Sequence, residues 1–482
     1  MTGAFLELVA KGSQDIFLTG NPSVTFFKSV YKKHTNFSIE NVEQTIEGTK
    51  DFGQNLTCTL SRKGDLVSGM VLEVDLPKMT SISVSSLRWV DSIGHYLIKE
   101  IELDIGGQII EKQYVEWMEI WNELTLHSEH NKGYQNMVGK GIEITTQKTL
   151  IIPLQFWFCR NIGLALPLIS LQYHQVKVNI VLNDFNKLWH KELIKYNVTR
   201  TTGGAVTINV ANSDTDDFND INLASERYEG MKIIWEDGEE NTISSTGTIT
   251  TTLNVSGTTT VKTGNIFIVK DIPDKTYELE DIRLYCDYIY LDTVERKHFA
   301  QKQHSYLIEQ IQYNGVDDYS KGSNSVKIGL DFNHPCKELF WVSQLSLCET
   351  LNQHNNFSDN VIAGSVTEDN PLVDAVLQLN GTERFKVRKA DYFRLLVPYQ
   401  RHTRTPDKYI YVYSFSLNPE QTQPSGTCNF SRIDNSELLL NMKSTLEKSK
   451  VRIYATNYNI LRIINGMGLS LIHISEPTRQ EA

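Results

Sequence analysis

The chain has no apolar run long enough to span a membrane. The longest candidate, Leu164 to Leu171, is broken by Pro167 and Ser170. No secretory leader is expected either, because Phe5 to Ala10 is short, is interrupted by Glu7 and has no basic stretch ahead of it. Cysteine is sparse. The six residues, at 58, 159, 286, 336, 348 and 428, are scattered and form no CxxC pair. That favours buried, inert thiols in a reducing compartment over a disulfide frame or a zinc site. Without a leader, the glycosylation sequons at Asn36, Asn55, Asn197, Asn254, Asn356, Asn380 and Asn429 carry no weight. Basic charge is also in deficit. A net charge of −11 disfavours wrapping of nucleic acid, so no direct nucleic-acid partner is expected.

Catalytic signatures are missing as well. No GxSxG elbow and no HxH occur, which removes the serine-hydrolase and cupin patterns. The segment Gly133 to Gly141 has one residue too many for a P-loop and places Gly141 where a hydroxyl is needed, so a loop is the default reading. His127 and His130 are spaced as metal ligands on a helix, but they follow an amphipathic segment where surface histidine is common. Asp214, Asp216, Asp217 and Asp220 lack the glycine and the ligand order of a calcium loop. Glu116, Glu119 and Glu123 read as the solvated face of a helix, and Trp117 and Trp121 as its core stripe. No catalytic residue, cofactor or metal is expected, and the chain is not expected to be an enzyme.

What is present is β-strand patterning. Leu56 to Leu60, Met70 to Leu76, Leu150 to Phe158 and Gln175 to Val181 read as strands. Tyr96 to Ile105 alternates, with Leu97, Lys99, Ile101, Leu103 and Ile105 on one face. One helix is expected over Tyr114 to Leu124. Residues 1–20 form a short lead before the turn Gly20-Asn21-Pro22. Val24 to Val30 reads as a first strand with core-facing apolar residues, and Lys28, Lys32, Lys33 and His34 as its solvated edge. Tyr306 to Tyr313 echoes Tyr96 to Leu103, and each copy follows an alternating strand, Cys286 to Asp292 and Met70 to Leu76. That weak self-similarity suggests two copies of one β domain. Residues 186–275 read as an insertion between the two copies, and its Thr/Ser-rich stretch over Asn241 to Thr263 as an exposed hairpin or a flexible loop.

Several strings then point one way. They include Gly12 to Asn36, with Asp15, Gly20, Asn21, Pro22, Phe26 and Phe27; the run Glu102 to Gln108, with Gly106 and Gly107; and Gly163 to Ile169, with Pro167. The second half adds His334-Pro335-Cys336-Lys337-Glu338 and the run Gln423 to Asp434, with Asn429, Phe430, Ser431, Arg432 and Asp434. In order and coverage the chain resembles the major capsid proteins of nucleocytoplasmic large DNA viruses. The resemblance implies an all-β double jelly roll: two tandem eight-stranded sandwiches with short helices in the connecting loops. It further implies homotrimers that form pseudo-hexameric capsomers and tile an icosahedral virion shell assembled in the host cytoplasm. The implied partners are neighbouring capsomers, minor capsid and penton proteins, and inner-membrane lipid beneath the shell. The expected division is an N-terminal arm (1–21), a first roll (22–185), a linker with the insertion (186–275) and a second roll (276–468). Residues 469–482, which read like a translated sequencing adapter, are expected to be an artefact. A second reading, a lectin-like carbohydrate-binding jelly roll, rests on the aromatic content and the Thr-rich insertion.

Overall fold

The computed structural model describes residues 3–79, 88–144, 146–190, 277–320, 325–360, 369–444, 446 and 448–470, together with the backbone of six strands between 192 and 270. Two short helices, Gly3–Val9 (α1) and Ser13–Thr19 (α2), open the chain. Strands follow at Phe37–Gln44 (β1), Ile46–Glu47 (β2), Asn55–Thr59 (β3) and Leu66–Leu76 (β4). Helix Ile93–Leu97 (α3) leads into Ile98–Ile105 (β5), and Gln108–Tyr114 (β6) runs into helices Val115–Thr125 (α4) and Ser128–Val138 (α5). Next come Lys148–Pro153 (β7), the helical turn Trp157–Arg160 (α6) and Val176–Leu182 (β8). Strands Glu192–Arg200 (β9), Ala205–Ile208 (β10), Lys232–Trp235 (β11), Glu240–Thr246 (β12), Thr252–Val255 (β13) and Lys262–Lys270 (β14) close into a barrel. Asp281–Leu291 (β15) and helix Thr293–Gln301 (α7) lead to the second half. That half contains His304–Tyr319 (β16), Ser325–Gly329 (β17), Pro335–Leu345 (β18), helix Ser346–Thr350 (α8), Leu372–Leu379 (β19), Thr382–Glu383 (β20) and Arg388–Lys389 (β21). It ends with helix Val397–Arg401 (α9), Ile410–Ser414 (β22), Cys428–Asn429 (β23), Ser436–Met442 (β24), Ser449–Ile464 (β25) and Met467–Ser470 (β26).

The strands build two sandwiches. In the first, the sheet β1-β15-β4-β7 packs on β2-β3-β8-β5-β6. In the second, β16-β25-β18-β22 packs on β17-β24-β19-β20. In each, the opening strand pairs antiparallel with the closing one, β1 with β15 and β16 with β25. This is the expected double jelly roll. Its cores follow from alternation: successive side chains of a strand point to opposite faces. Met70, Leu72, Val74 and Leu76 of β4 point inward, as do Val176, Val178, Ile180 and Leu182 of β8.

The pairing revises several sequence expectations. Strand β15 belongs to the first sandwich, so the boundary at 276 cuts one strand off the first roll. The barrel therefore interrupts the first roll between β8 and β15; it is not a linker between rolls. Within it β12 and β13 pair antiparallel, the hairpin alternative for the Thr/Ser-rich stretch, and four further strands complete the barrel. The acidic cluster at 214–220 lies outside the described residues. The internal echo does not mark equivalent strands. Tyr306 to Tyr313 lies in β16, the counterpart of β1, whereas β5 is interior to the opposite sheet of its own roll. Cys286 in fact pairs directly with Met70 within one sheet. Their environments differ too: β5 alternates between buried and partly exposed residues, whereas β16 sends Ile308 into the first core and Ile311 into the second.

Local expectations shift too. The strand ending at Phe158 stops at Pro153 and gives way to α6. Lys99 leaves its expected face because the β5/β8 register slips between Ile98 and Glu100, turning Lys99 outward. Gly133 to Val138 is helical, not a loop. Val24 to Val30 forms no strand: the first strand starts at Phe37, and Phe26 and Phe27 are 94% and 98% exposed. Residues 469–470 pair with β25, and 471–482 lie outside the described residues.

Strand register also fixes polarity. Phe37 pairs with Leu291, so the N-terminal arm enters where β15 ends, while the barrel precedes Asp281 at the other end. At roughly 3.3 Å per residue, β15 separates them by about 35 Å. In the second sandwich, β16 starts at His304 opposite Ile463 and ends at Tyr319 opposite Ser449. The Ile463 end touches the arm end of the first roll, where Tyr173 N–H donates to the Gly466 carbonyl at 3.0 Å. The other end touches the barrel end, where Asn352 donates to the carbonyls of Asn186 (2.8 Å) and Trp189 (2.9 Å). The two sandwiches thus stand side by side and the same way up.

Candidate functional site

The seam between the sandwiches starts from α4. Trp117, Ile120, Trp121 and Leu124 sit at helical spacing, and all four are buried. The helix belongs to the first roll by sequence, yet these side chains are part of the second roll's core. Ile308, Leu461 and Ile463 of the second roll reciprocally join the first core. At roughly 1.5–3 kcal/mol per fully buried large side chain, the exchange binds the two sandwiches into one unit.

The acidic face of α4, expected in solvent, is turned into this seam. Glu119 is 2% exposed; it takes His95 Nδ1 at 2.7 Å and the Lys408 ammonium. Burial alone would raise the Glu119 carboxyl, but Lys408 and His95 overcome it and hold the group well below the usual carboxylate range. Glu123 meets Arg404 (3.4 Å) and Lys408 (3.5 Å), and Glu116 meets Arg452 (3.2 Å) and the Tyr454 hydroxyl. A second cluster lies nearby. Arg160 stacks over Trp121 (4.8 Å to the ring centre) and pairs with Glu309 at 3.2 Å, and Lys337 also donates to Glu309. Burial raises Glu111, 3.9 Å from Arg160, to about 7. Trp121, Arg160, Glu309 and Glu420 border a cavity of about 320 Å³ at the seam. In a third group, His402 lies 3.0 Å from both Glu338 and Glu420. Burial alone would lower His402, but these two carboxylates raise it to about 9.

The sequence-selected residues separate into three places. Asp15, Gly20, Asn21, Pro22, Phe26 and Phe27 lie on the exposed arm, where the Asp15 carboxylate accepts the Gly12 N–H at 2.9 Å. Lys28, Lys32, Lys33 and His34 are exposed there too, on irregular chain and not on a strand edge. Gly106 and Gly107 make the β5–β6 turn at φ +67° and +86°. A Cβ on Gly106 would collide with the His174 ring, which accepts the Gly468 N–H. Pro167, Lys337, Glu338 and Phe430 are interior. His334 (φ +65°), Pro335, Asn429 and Ser431 lock the start of β18 to β23: His334 N–H donates to Ser431 Oγ at 2.8 Å, and Pro335 pairs with Asn429. Arg432 and Asp434 are exposed. His127 and His130 are exposed around the start of α5. The seam triads His95–Glu119–Lys408 and Glu338–His402–Glu420 were missed as groups, although Glu338 was among the selected residues. The glutamate spacing on α4 was the only signal, because Lys408 is 289 positions from Glu119.

Comparison with known proteins agrees with this architecture. Residues 25–222 match the family described as major capsid protein N-terminus, and residues 295–469 match large eukaryotic DNA virus major capsid protein. The chain is 38% identical to the major capsid protein of Pyramimonas orientalis virus, with 97% of this chain and 98% of that one covered. It is 35% identical to that of Phaeocystis pouchetii virus, over 97% and 99%. Among solved structures it superimposes on the PBCV-1 virus capsid chain with a TM-score of 0.67 at 30% identity, covering 92% and 99%. The chain belongs to the major capsid protein family of large eukaryotic DNA viruses. It is a structural protein of the virion shell, and the lectin-like reading finds no support among these relatives.

Proposed function

We propose that three copies of this chain form a capsomer of pseudo-hexagonal outline, and that such capsomers tile an icosahedral shell. The observation that supports this is the shared polarity of the two sandwiches. Rotation about an axis parallel to the strands keeps "up" as "up", so three chains present six like-facing sandwiches. The seam holds each pair at one fixed spacing, as a regular outline requires. Capsomer interfaces are expected to exceed the roughly 1,600 Å² of a standard complex.

The arm is the contact device in this reading. Its exposed apolar and lysine side chains reach a neighbouring copy, a minor capsid or penton protein, or membrane lipid below the shell, and assembly takes place in the host cytoplasm. The chain's work is geometric, not catalytic; in support, Glu119, Glu309 and Glu338 are each held in ion pairs. Light scattering on the full chain tests the proposal. A stable trimer is expected, and a chain that stays monomeric at high concentration overturns it. Neutralising Lys28, Lys32 and Lys33 is expected to weaken assembly in a salt-dependent way and to leave the monomer folded.

A further inference from the structure

We propose that Cys336 and Cys428 form a modification site, a cross-strand thiol pair that closes to an intrachain disulfide when the folded protein meets a low-molecular-weight disulfide such as oxidised glutathione. The argument rests on register and does not depend on the capsomer reading. Cys336 in β18 is the direct ladder partner of Cys428 in β23. Phe430 N–H donates to the His334 carbonyl at 3.1 Å, and Pro335, which has no N–H, faces Asn429. Pro335 cannot donate to Asn429, so 335 and 429 are the non-hydrogen-bonded pair, and a ladder bond joins 334 and 430. Antiparallel ladders alternate, so the next pair, 336 and 428, is a hydrogen-bonded one, with Cα atoms about 5.5 Å apart. That separation lies inside the roughly 4.4–6.8 Å that a disulfide spans.

Directly opposed residues also share a sheet face. Cys336 is part of the second core and Cys428 packs against the same cluster. Both carry thiols; Cys336 is fully buried and Cys428 half-buried, so an oxidant reaches Cys428 first. Among the described strands no other two cysteines are ladder partners.

The chemistry balances. The Cys428 thiolate attacks one sulfur of oxidised glutathione, breaks its S–S bond and releases one glutathione thiolate. The Cys336 thiolate then attacks the Cys428 sulfur, forms the protein S–S bond and expels the second. The two protein protons pass to the departing thiolates, so two protein thiols are oxidised and one glutathione disulfide is reduced. Burial raises both thiols, so little thiolate is present near neutral pH and closure is slow. The pair acts as a lock and not as a fast sensor. It stays open in a reducing cytoplasm and closes outside it.

The lock would fasten a segment whose ladder with β18 is two pairs long. That segment carries Phe430 into the core and the Pro419 carbonyl onto Lys337 Nζ at 2.7 Å. The test uses the full-length chain, incubated natively with oxidised glutathione, then alkylated and mapped without reduction. Loss of two of the six thiols, a 336–428 cross-linked peptide and a melting temperature raised by roughly 5 °C or more are expected. Cys428→Ser and Cys336→Ala should each abolish both the bridge and the shift, and the wild-type peptide map decides the matter even if a variant folds poorly. Six thiols persisting after oxidation, a mixed disulfide that stops at Cys428, or a bridge joining another pair or two chains would each overturn the proposal.

Discussion

Helix α4 and the N-terminal arm are both rich in large apolar side chains, and their fates are opposite. Trp117, Ile120, Trp121 and Leu124 disappear into the neighbouring sandwich of their own chain. Phe5, Leu6, Phe17, Phe26 and Phe27 find no such cover and remain more than half exposed. The same hydrophobic chemistry serves two purposes. On α4 it closes a seam within the chain; on the arm it is left uncovered. Monomeric proteins seldom leave apolar patches of this extent bare, which is the physical reason to read the arm as a contact element.

That contrast can be broken or sharpened by mutation. The largest effect is expected for Trp117→Ala, which opens a cavity in the second core from a residue of the first roll. It should cost about 3–5 kcal/mol and still give one melting transition in calorimetry. Two separate transitions in the native chain would instead mean that the seam does not couple the rolls. Lys408→Met, which leaves Glu119 buried without its ammonium partner, should cost about 3 kcal/mol. Adding Glu119→Gln should recover part of that in a double-mutant cycle.

The His402 cluster makes a prediction in pH. Its folded value of about 9 stands above the ordinary value near 6.5, so the folded state holds the proton more tightly. The stability this supplies is fully present below about pH 6.5 and is lost as pH rises towards 9, amounting to about 3 kcal/mol at most. Glu111, held near 7, titrates in the lower half of the same window, so the comparison is with a variant that keeps Glu111. The melting temperature of His402→Gln should therefore vary less between pH 6.5 and 9 than that of the native chain; an equal slope would assign the effect elsewhere. The smallest effect on the single chain belongs to the arm. Removing residues 1–20 should shift stability by less than about 0.5 kcal/mol while impairing assembly. An unfolded product would show that the arm packs on its own sandwich after all.

Much of the fold was legible because alternation is a local signal. Met70 to Leu76 and Gln175 to Val181 needed only their own side chains to be read as half-buried strands, and α4 needed only its stripe of Trp117, Ile120, Trp121 and Leu124. Val24 to Val30 shows the limit. Its residues favour strands, but a strand also needs a partner, and among the described residues no strand pairs with it. Glu119 shows another. A glutamate on the back of an amphipathic helix is normally solvated, and what buries this one is a lysine from the far half of the sequence.

By itself, the sequence determined the all-β class, the doubling of the sandwich and the family, since these rest on short-range periodicity and on strings read in order. Only the tertiary structure decided that β15 closes the first roll, that the barrel interrupts that roll between β8 and β15, that α4 crosses into its neighbour, and that both rolls point the same way. The reason is physical. Periodicity tells a residue which side of its own element is buried, whereas the partner that buries it is set by contacts between segments hundreds of positions apart.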